Sequence, residues 1–443
     1  MDELLRQKIE SHSGGLWDPG GLTKWSLDTH SWFDINKGKN NKPIDENEYT
    51  YDTIELQRAT YKCIKKIIIP TKFQKEVLLS WMDTYIRMYN ETLKCLKGKT
   101  YNNERFTLIS GKVRTEYMKN KKEEILNNSG LKNNRKPTKI YSHILDEAIK
   151  DVCTSFKSAF TNLRNKNIKH FRVRYMKISK KQKILKIEKL AFSKNNKTFC
   201  GHVLGDEIQT NDGSDFSDVG QSGGTLTYNY KSNRFTLLIP QEIRQQELEE
   251  PKKYSVISLD PGIRTFMSGY ANGSTLEIGN KLKETIKPIL RTIDKINANN
   301  KLTQKKKRKA ENKRYIRIGN LVDDLHWKSI KYLTKNYNTI LIGNMSTYSI
   351  VSNNKSNKLD KMTKRLALIM RLYVFKERLK FKCGMHNCDF GEINERYTSQ
   401  MCSYCGNRKT NLGSNKIYDC TECHKVIGRD TNGARNIYLM GIK

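Results

Sequence analysis

The sequence predicts a multidomain α/β protein, on three observations. Two segments repeat apolar residues at steps of three and four, the mark of amphipathic helices. Short β-patterned runs flank those segments. After Pro251, strands and helices alternate through to a final helix that begins at Asp430. At 443 residues the chain has room for about three average domains.

Residues 1–50 are rich in Gly, Asp, Asn and Lys, and Gly14-Gly15 and Gly20-Gly21 break any helix. They are expected to form an N-terminal extension with little fold of its own. Cys63–Ile69 reads as a strand ended by Pro70. A helix follows from about Phe73 to Lys94, with Leu78, Met82, Tyr85, Tyr89 and Leu93 on one face. Asn-rich and Lys-rich stretches interrupt 97–136. A second helix runs from about Tyr141 to Leu163, with Ile144, Ala148, Val152, Phe156, Ala159 and Leu163 as its stripe. Both stripes read as core packing. Leu185–Phe192, Thr225–Tyr230 and Arg234–Ile239 read as strands of one sheet, and the acidic, Gly-rich 205–224 as a long loop.

Beyond Pro251, Tyr254–Leu259 has the pattern of a buried strand ending at Asp260-Pro261-Gly262. Thr265–Tyr270 and Ser274–Ile278 complete a meander with turns at Gly262 and Asn272-Gly273. A long basic helical region covers about 281–335, with Val322, Leu325, Ile330 and Leu333 on one face. Asn338–Ile342 is the next strand and 360–382 the next helix. A short strand then leads to Glu395, the cysteines and the terminal helix. Three antiparallel strands, a helix, a strand, a helix, a strand and a terminal helix is the order of a ribonuclease-H-like α/β fold.

Lys and Arg number 82 against 46 Asp and Glu, a net charge of +36. So large a charge repels itself unless a polyanion neutralises it. The basic residues run from Arg6 to Lys443, which fits a long polyanion better than one small acidic ligand. No run of about 18 apolar residues exists, so no membrane span is expected. The first residues lack the basic start and apolar stretch of a secretory signal. An intracellular protein is expected, its ten cysteines thiols. Cys63, Cys95, Cys153, Cys200, Cys383 and Cys388 read as buried free thiols.

The other four have metal spacing. Cys402-x2-Cys405 and Cys420-x2-Cys423 each offer two thiolates from one tight turn, the set a structural Zn2+ takes in a tetrahedron. The two pairs are expected to bracket a hairpin. Gly406 allows the left-handed conformation such turns use. His424 adjoins the fourth cysteine and is a weaker alternative ligand.

Phosphodiester hydrolysis by two metals needs several carboxylates converging on Mg2+ ions about 4 Å apart. Asp260 stands at the end of the first meander strand and Asp430 at the start of the last helix. Asp260 before Pro-Gly is equally a turn residue, and Asp430 equally a helix N-cap. The small Gly433 and Ala434, one turn in, point to close packing of that helix on the sheet.

Three segments together carry a resemblance. Leu259-Asp260-Pro261-Gly262-Ile263-Arg264-Thr265-Phe266, Tyr397-Thr398-Ser399-Gln400-Met401-Cys402-Ser403-Tyr404-Cys405-Gly406 and Arg429-Asp430-Thr431-Asn432-Gly433-Ala434-Arg435-Asn436-Ile437 resemble the TnpB/Fanzor transposon-encoded nucleases, relatives of the type V CRISPR effectors. The resemblance covers about 251–443 and reaches weakly to Tyr85–Asn90. It implies an RNA-guided DNA endonuclease, with an omega-RNA-like guide and double-stranded target DNA as partners. It implies one RuvC-like site holding two Mg2+ ions at Asp260 and Asp430. Before the nuclease it implies a wedge β-barrel with a helical recognition lobe at about 73–175. The domains expected are then 1–50, 51–250 and 251–443, with the zinc ribbon at about 398–428. The protein would be a monomer within a ribonucleoprotein, nuclear in a eukaryotic host.

One departure matters. Bacterial members carry a glutamate after the fourth strand, where this chain has Ile342-Gly343-Asn344-Met345. The Fanzor branch is similar to this chain in lacking it there and places the acid before the Tyr-Thr-Ser motif, which here is Glu395. Glu392 is the fallback. On a strand, 392 and 395 point to opposite faces, so only one reaches the site. A catalytically silent RNA- or DNA-binding regulator is the alternative, favoured by Gly343 and Asn344. A transposase that joins DNA ends lacks a tyrosine with a paired His motif.

For nucleic-acid contacts, Lys305, Lys306, Lys307 and Arg308 form a dense basic run that also reads as a nuclear localisation signal or a solvated helix face. Arg172 and Arg174 interleave with aromatics in Phe171–Tyr175, as strand-tracking surfaces do, and equally as a β-strand edge does.

Overall fold

A computed structural model describes residues 33–37, 50–51, 53–54, 61–101, 107–131, 138–179, 182–242, 252, 254–351, 359–413 and 415–442. The glycine pairs near the N-terminus lie outside the described residues. Two compact units form, residues 60–244 and residues 1–59 with 245–443. The first strand among the described residues, β1 (Phe33–Lys37), belongs to the second unit.

In the unit 60–244, β2 (Tyr61–Ile69) is followed by α1 (Lys72–Tyr101). Thr71 and Gln74 cap that helix reciprocally: Gln74 N–H donates to Thr71 Oγ1, and Thr71 N–H to Gln74 Oε1. All five residues of its expected stripe are buried. In α2 (Ser142–Arg164), Ile144, Ala148, Val152 and Phe156 are buried, but Leu163 at the end of the stripe is exposed. β3 (Gln182–Ile187), β4 (Gln209–Thr210), β5 (Gly224–Asn229) and β6 (Arg234–Glu242) complete an antiparallel sheet of order β3-β5-β6-β2-β4.

This sheet is not the closed barrel that the resemblance implies. Its edge strands β3 and β4 do not pair, and β4 is two residues long. The helices occupy the face around which a barrel would close: Leu185, Leu226, Leu237 and Ile239 share one core with Leu78, Tyr85, Ile144 and Val152. The acidic loop is drawn in by Lys66, whose buried ammonium reaches Ser214 Oγ at 3.0 Å and Asp218 at 2.8 Å. Phe171–Tyr175 is irregular rather than a strand. Its alternation survives, with Phe171 and Val173 against the core and Arg172 and Arg174 exposed.

The second unit is built on a six-stranded sheet. β7 (Tyr254–Pro261), β8 (Met267–Ala271) and β9 (Ser274–Ile278) form the expected meander. Two helices, α3 (Leu282–Ala298) and α4 (Gln304–Asn336), stand where one long helical region was expected. The break is set by Thr303, which caps α4 by accepting from Lys306 N–H. β10 (Tyr337–Gly343) follows. The next helix is also two, α5 (Lys361–Met370) and α6 (Leu372–Met385), parted at Arg371 with φ +50°. Arg371 donates to Gly319 O and pairs with Asp323, which holds that unfavourable conformation. β11 (Asp389–Ile393) and, at the end of the chain, α7 (Arg429–Gly441) complete the frame.

The strand order is β1-β9-β8-β7-β10-β11, with β7, β10 and β11 mutually parallel. Each face has its own core. Ile257, Leu259, Ile340, Ile342 and Phe390 pack against α3–α6. Val256, Leu341 and Ile393 pack against Ala434, Ile437 and Tyr438 of α7. No element is expected in 1–50, yet β1 pairs antiparallel with β9. At the other edge Ile54 N–H donates to Phe390 O. Segments on the N-terminal side thus cover both edges, whose open N–H and C=O groups would otherwise invite strand addition.

Candidate active site and metal centre

Residue parity along three parallel strands puts Asp260 and Glu395 on one face of the sheet. On β7, Ser258 and Asp260 follow Val256 on the α7 face, and Ser258 Oγ donates to Ala434 O at 2.7 Å. On β10, Gly343 follows Leu341 on that face. Past the end of β11, Glu395 follows Ile393. Asp430 lies in the first turn of α7.

Two glycines make room for two of these carboxylates. A Cβ at Gly433 would sit 2.3 Å from Asp260 Oδ2. A Cβ at Gly343 would sit 1.8 Å from Glu395 Oε1 and 2.6 Å from its Cγ. Gly433 therefore does more than pack the helix closely: it seats the Asp260 carboxylate. Glu395 occupies the space that a side chain at 343 would need. Asn344 and Met345 hold it there, Asn344 Oδ1 accepting Glu395 N–H at 3.3 Å and Met345 N–H donating to Glu395 Oε1 at 3.2 Å. The stretch that lacks an acid in the sequence supports an acid from the next strand.

Glu392 is turned the other way. It pairs with Lys376 of α6 at 2.7 Å, on the opposite face of the sheet. Burial, then the nearby Glu395 and Asp430 carboxylates, push the Asp260 carboxyl well above its usual range, against the pull of Arg429. Burial pushes Glu395 up to about 7, with Met345 N–H and Lys376 pulling it down. Carboxyls raised in this way favour a shared proton or a nearby cation. Among the described residues only the four cysteines draw three or more His, Cys, Asp or Glu donors together closely enough for a metal; the three carboxylates do not meet to that degree.

The segment after Glu395 is clamped to α7 by two asparagines one turn apart. Asn432, fully buried, accepts Ser403 N–H at 2.9 Å and donates to Met401 O at 2.7 Å. Asn436 donates to Thr398 O and Met401 O. Thr398 in turn donates its N–H and Oγ1 to Glu395 O. The helix that carries Asp430 thus fixes the backbone that carries Glu395. Asn432 and Asn436 carry no expected role in the sequence; their i, i+4 spacing on one helix face is the signal that they act as a pair.

Cys402, Cys405, Cys420 and Cys423 bring their sulfurs within 4.8 Å of one another, with Cys402–Cys423 at 3.6 Å and Cys405–Cys420 at 3.5 Å. A tetrahedron with Zn–S bonds of about 2.3 Å has edges of about 3.8 Å, so the set can hold such an ion. The expected bracketing is corrected. The hairpin of β12 (Ile417–Asp419) and β13 (Val426–Gly428) does not lie between the two pairs; it carries the second pair at its tip. The Met401–Arg408 bridge flanks the first pair in the same way. Gly406 has φ +77° as expected, and His424 takes the matching place in the second turn with φ +54°. Gly406 N–H donates to Cys402 O, and His424 N–H to Cys420 O. His424 is thus a backbone turn residue. The backbone N–H of Cys423 helps lower the Cys420 thiol to about 6, so a thiolate forms readily. On α7, Arg435 stacks 4.0 Å over the ring of Tyr404, joining this lobe to the helix.

Of the basic run, Lys305, Lys306 and Arg308 are exposed on α4, while Lys307 donates to Asn297 O at the end of α3. Among the described residues no helix is long and apolar enough to cross a membrane.

Known proteins are similar to this chain, among them one domain family and the three chains that follow. Residues 373–437 match the family model "Cas12f1-like, TNB domain". TnpB-like protein L770 of Acanthamoeba polyphaga mimivirus is 30% identical over 392 residues, covering 85% of this chain and 72% of that protein. TnpB-like protein L79 of the same virus is 29% identical over 453 residues, covering 94% and 84%. An Escherichia coli (strain K12) protein named "Putative RNA-guided DNA endonuclease InsQ" is 27% identical over 199 residues, covering 42% and 49%.

Proposed function

This chain belongs to the TnpB-like family, and on that premise we propose that it is a Mg2+-dependent, RNA-guided DNA endonuclease of Fanzor type, cutting at one RuvC-like site. The observation that carries the proposal is the seat that Gly343 leaves for Glu395. A carboxylate lost from the 343–345 stretch returns to the same face from the following strand. InsQ supports the reaction class by its name, and the net charge of +36 suits a guide RNA and a DNA target.

Asp260, Glu395 and Asp430 would hold two Mg2+ ions, and the Gly433 and Gly343 cradles fit that role because each leaves room for a carboxylate at the carboxyl ends of the strands. Such ions supply an activated water and charge at the leaving oxygen. The protein's own part is to hold three acids on one face. Met345 N–H fixes the Glu395 carboxylate through Oε1, and Asn432 and Asn436 fix the chain that follows it. The four-cysteine lobe, read as a structural zinc site, lies between Glu395 and Asp430 in sequence and ties the two together. The silent-regulator alternative rests on Gly343 and Asn344, and both serve Glu395.

The test is cleavage of plasmid DNA by the purified protein with RNA from its own locus, in Mg2+. The parent cuts, and Asp430→Ala loses at least about a hundredfold in rate, as expected for a metal ligand. Equal cutting by Asp430→Ala would overturn the assignment.

A further inference from the structure

Helix α6 ends in a turn that runs from Cys383 to Cys388. Cys388 N–H donates to Cys383 O at 3.0 Å, His386 N–H donates to the same carbonyl, and Asn387 takes the left-handed φ of +49°. A helix end of this kind packs the residue after the left-handed one against the residue five earlier, and that contact is usually apolar. In this chain both positions are cysteines. Cys383 is fully buried and Cys388 is 5% exposed. The Cys383 thiol donates to the Cys388 sulfur. That bond, and burial after it, push the Cys383 thiol up, so it keeps its proton.

Lys252 reaches this turn from the segment just before β7. Its ammonium donates to His386 O at 2.8 Å, to Asn387 O at 3.0 Å and to Cys388 Sγ at 2.9 Å. The two carbonyls alone would satisfy a cation that merely caps a helix. The third bond goes to sulfur, and gives a thiolate at Cys388 a positive charge to rest against. While protonated, the Cys388 thiol donates to Thr334 O, 3.4 Å away near the end of α4. Cys388 thus has a cation beside it, a second thiol bonded to it and some exposure. Cys200 is the contrast: burial and then Glu188 push its thiol up to about 12.

We infer that Cys383 and Cys388 form a modification site, a thiol pair that hydrogen peroxide closes into a disulfide, with Lys252 holding the thiolate that reacts first. The Cys388 sulfur attacks the peroxide: an S–O bond forms, the O–O bond breaks, and the leaving oxygen takes the thiol's proton to become water. The Cys383 sulfur then attacks Cys388: an S–S bond forms, the S–O bond breaks, and a second water leaves with the Cys383 proton. Two thiols are oxidised and one peroxide is reduced to two waters. A disulfide wants its Cα atoms about 4.4–6.8 Å apart, a span that the hydrogen bond between the two backbones allows. The bond would tie the end of α6 to the start of β11. Glu395 lies past the other end of that strand, so the pair takes no part in cleavage.

The experiment treats the purified full chain, its zinc retained, with hydrogen peroxide, then denatures it, alkylates the free thiols and digests it with trypsin. Lys382 and Arg396 bound one peptide that carries both cysteines. That peptide is expected to lose two hydrogens, to resist alkylation at both sulfurs and to regain both thiols on reduction, at peroxide doses that leave Cys153 and Cys200 open to alkylation. Lys252→Gln, which can still donate to the two carbonyls, is expected to slow the closure at least about tenfold. In Cys383→Ser, dimedone is expected to trap Cys388 as its sulfenic acid. If Cys383 and Cys388 are still alkylated at a dose that already oxidises Cys153 and Cys200, the pair is an apolar contact and the inference is overturned. Closure at an unchanged rate in Lys252→Gln would overturn the part given to Lys252. None of these readouts involves nucleic acid, so they stand or fall apart from the endonuclease reading.

Discussion

An alanine at 433 would set a methyl group 2.3 Å from Asp260 Oδ2, and one at 343 would set it 1.8 Å from Glu395 Oε1. In both cases the atom in the way is the end of a flexible acid, so the side chain yields and the backbone stays. Gly433 lies inside α7, where alanine favours the helix by roughly 1 kcal/mol. Gly433→Ala should therefore leave thermal stability equal or higher while cleavage falls at least about thirtyfold, the shift of an acid at a metal site; a variant that cuts normally would show that Asp260 needs no such seat. The raised acids also set a pH dependence. Glu395 titrates near 4.5 when unfolded and near 7 when folded, and Asp260 is raised as well. Folding then favours the protonated forms, so stability is full below about 4.5 and declines as pH rises through 7. Melting curves in Mg2+-free buffer that keeps zinc should show that decline, and Glu395→Gln should flatten it. At this scale the cysteines, Asp260 and Asp430 are legible from spacing and position. The service of Gly343 and Asn344 is not, because it exists only once β10 and β11 are paired and their side chains face one way.

Among the elements, α7 has the largest share of the work. One face packs on β7 and β10, its first turn carries Asp430, and Asn432 and Asn436 grip the segment 398–403. Asn436→Ala removes the donor to Thr398 O, while Met401 O keeps that of Asn432. Unmet buried groups cost about 1–3 kcal/mol, so urea unfolding should show a loss of that order, and faster hydrogen exchange confined to 397–405 should accompany it. Unchanged exchange there would remove the clamp from the account. The strands and helices of this unit follow from apolar periodicity, since each is long and one-sided. The break at Arg371 does not, because bonds to Gly319 and Asp323 of α4 place it, whereas the break at 299–303 is local, ended by the Thr303 cap. Strand β1 is hidden for a similar reason: a five-residue strand of mixed polarity forms only where an edge is waiting for it.

For the molecule as a whole, a net charge of +36 spread along the chain is the feature most plainly readable from sequence. The unit 60–244 is less so. Its strands are expected, but their closure into a barrel is not realised, because α1 and α2 take the face that closure would need. The unit with the sheet of six strands carries the central claim, that the third acid reaches the site from 395 and not from 392 or 344. Cleavage of target DNA with the locus RNA, compared between Glu395→Gln and Glu392→Gln, tests it most directly. The account predicts a loss of at least about a hundredfold for Glu395→Gln and a change within a few-fold for Glu392→Gln, which loses only its pair with Lys376. Loss in Glu392→Gln with Glu395→Gln still cutting would contradict it.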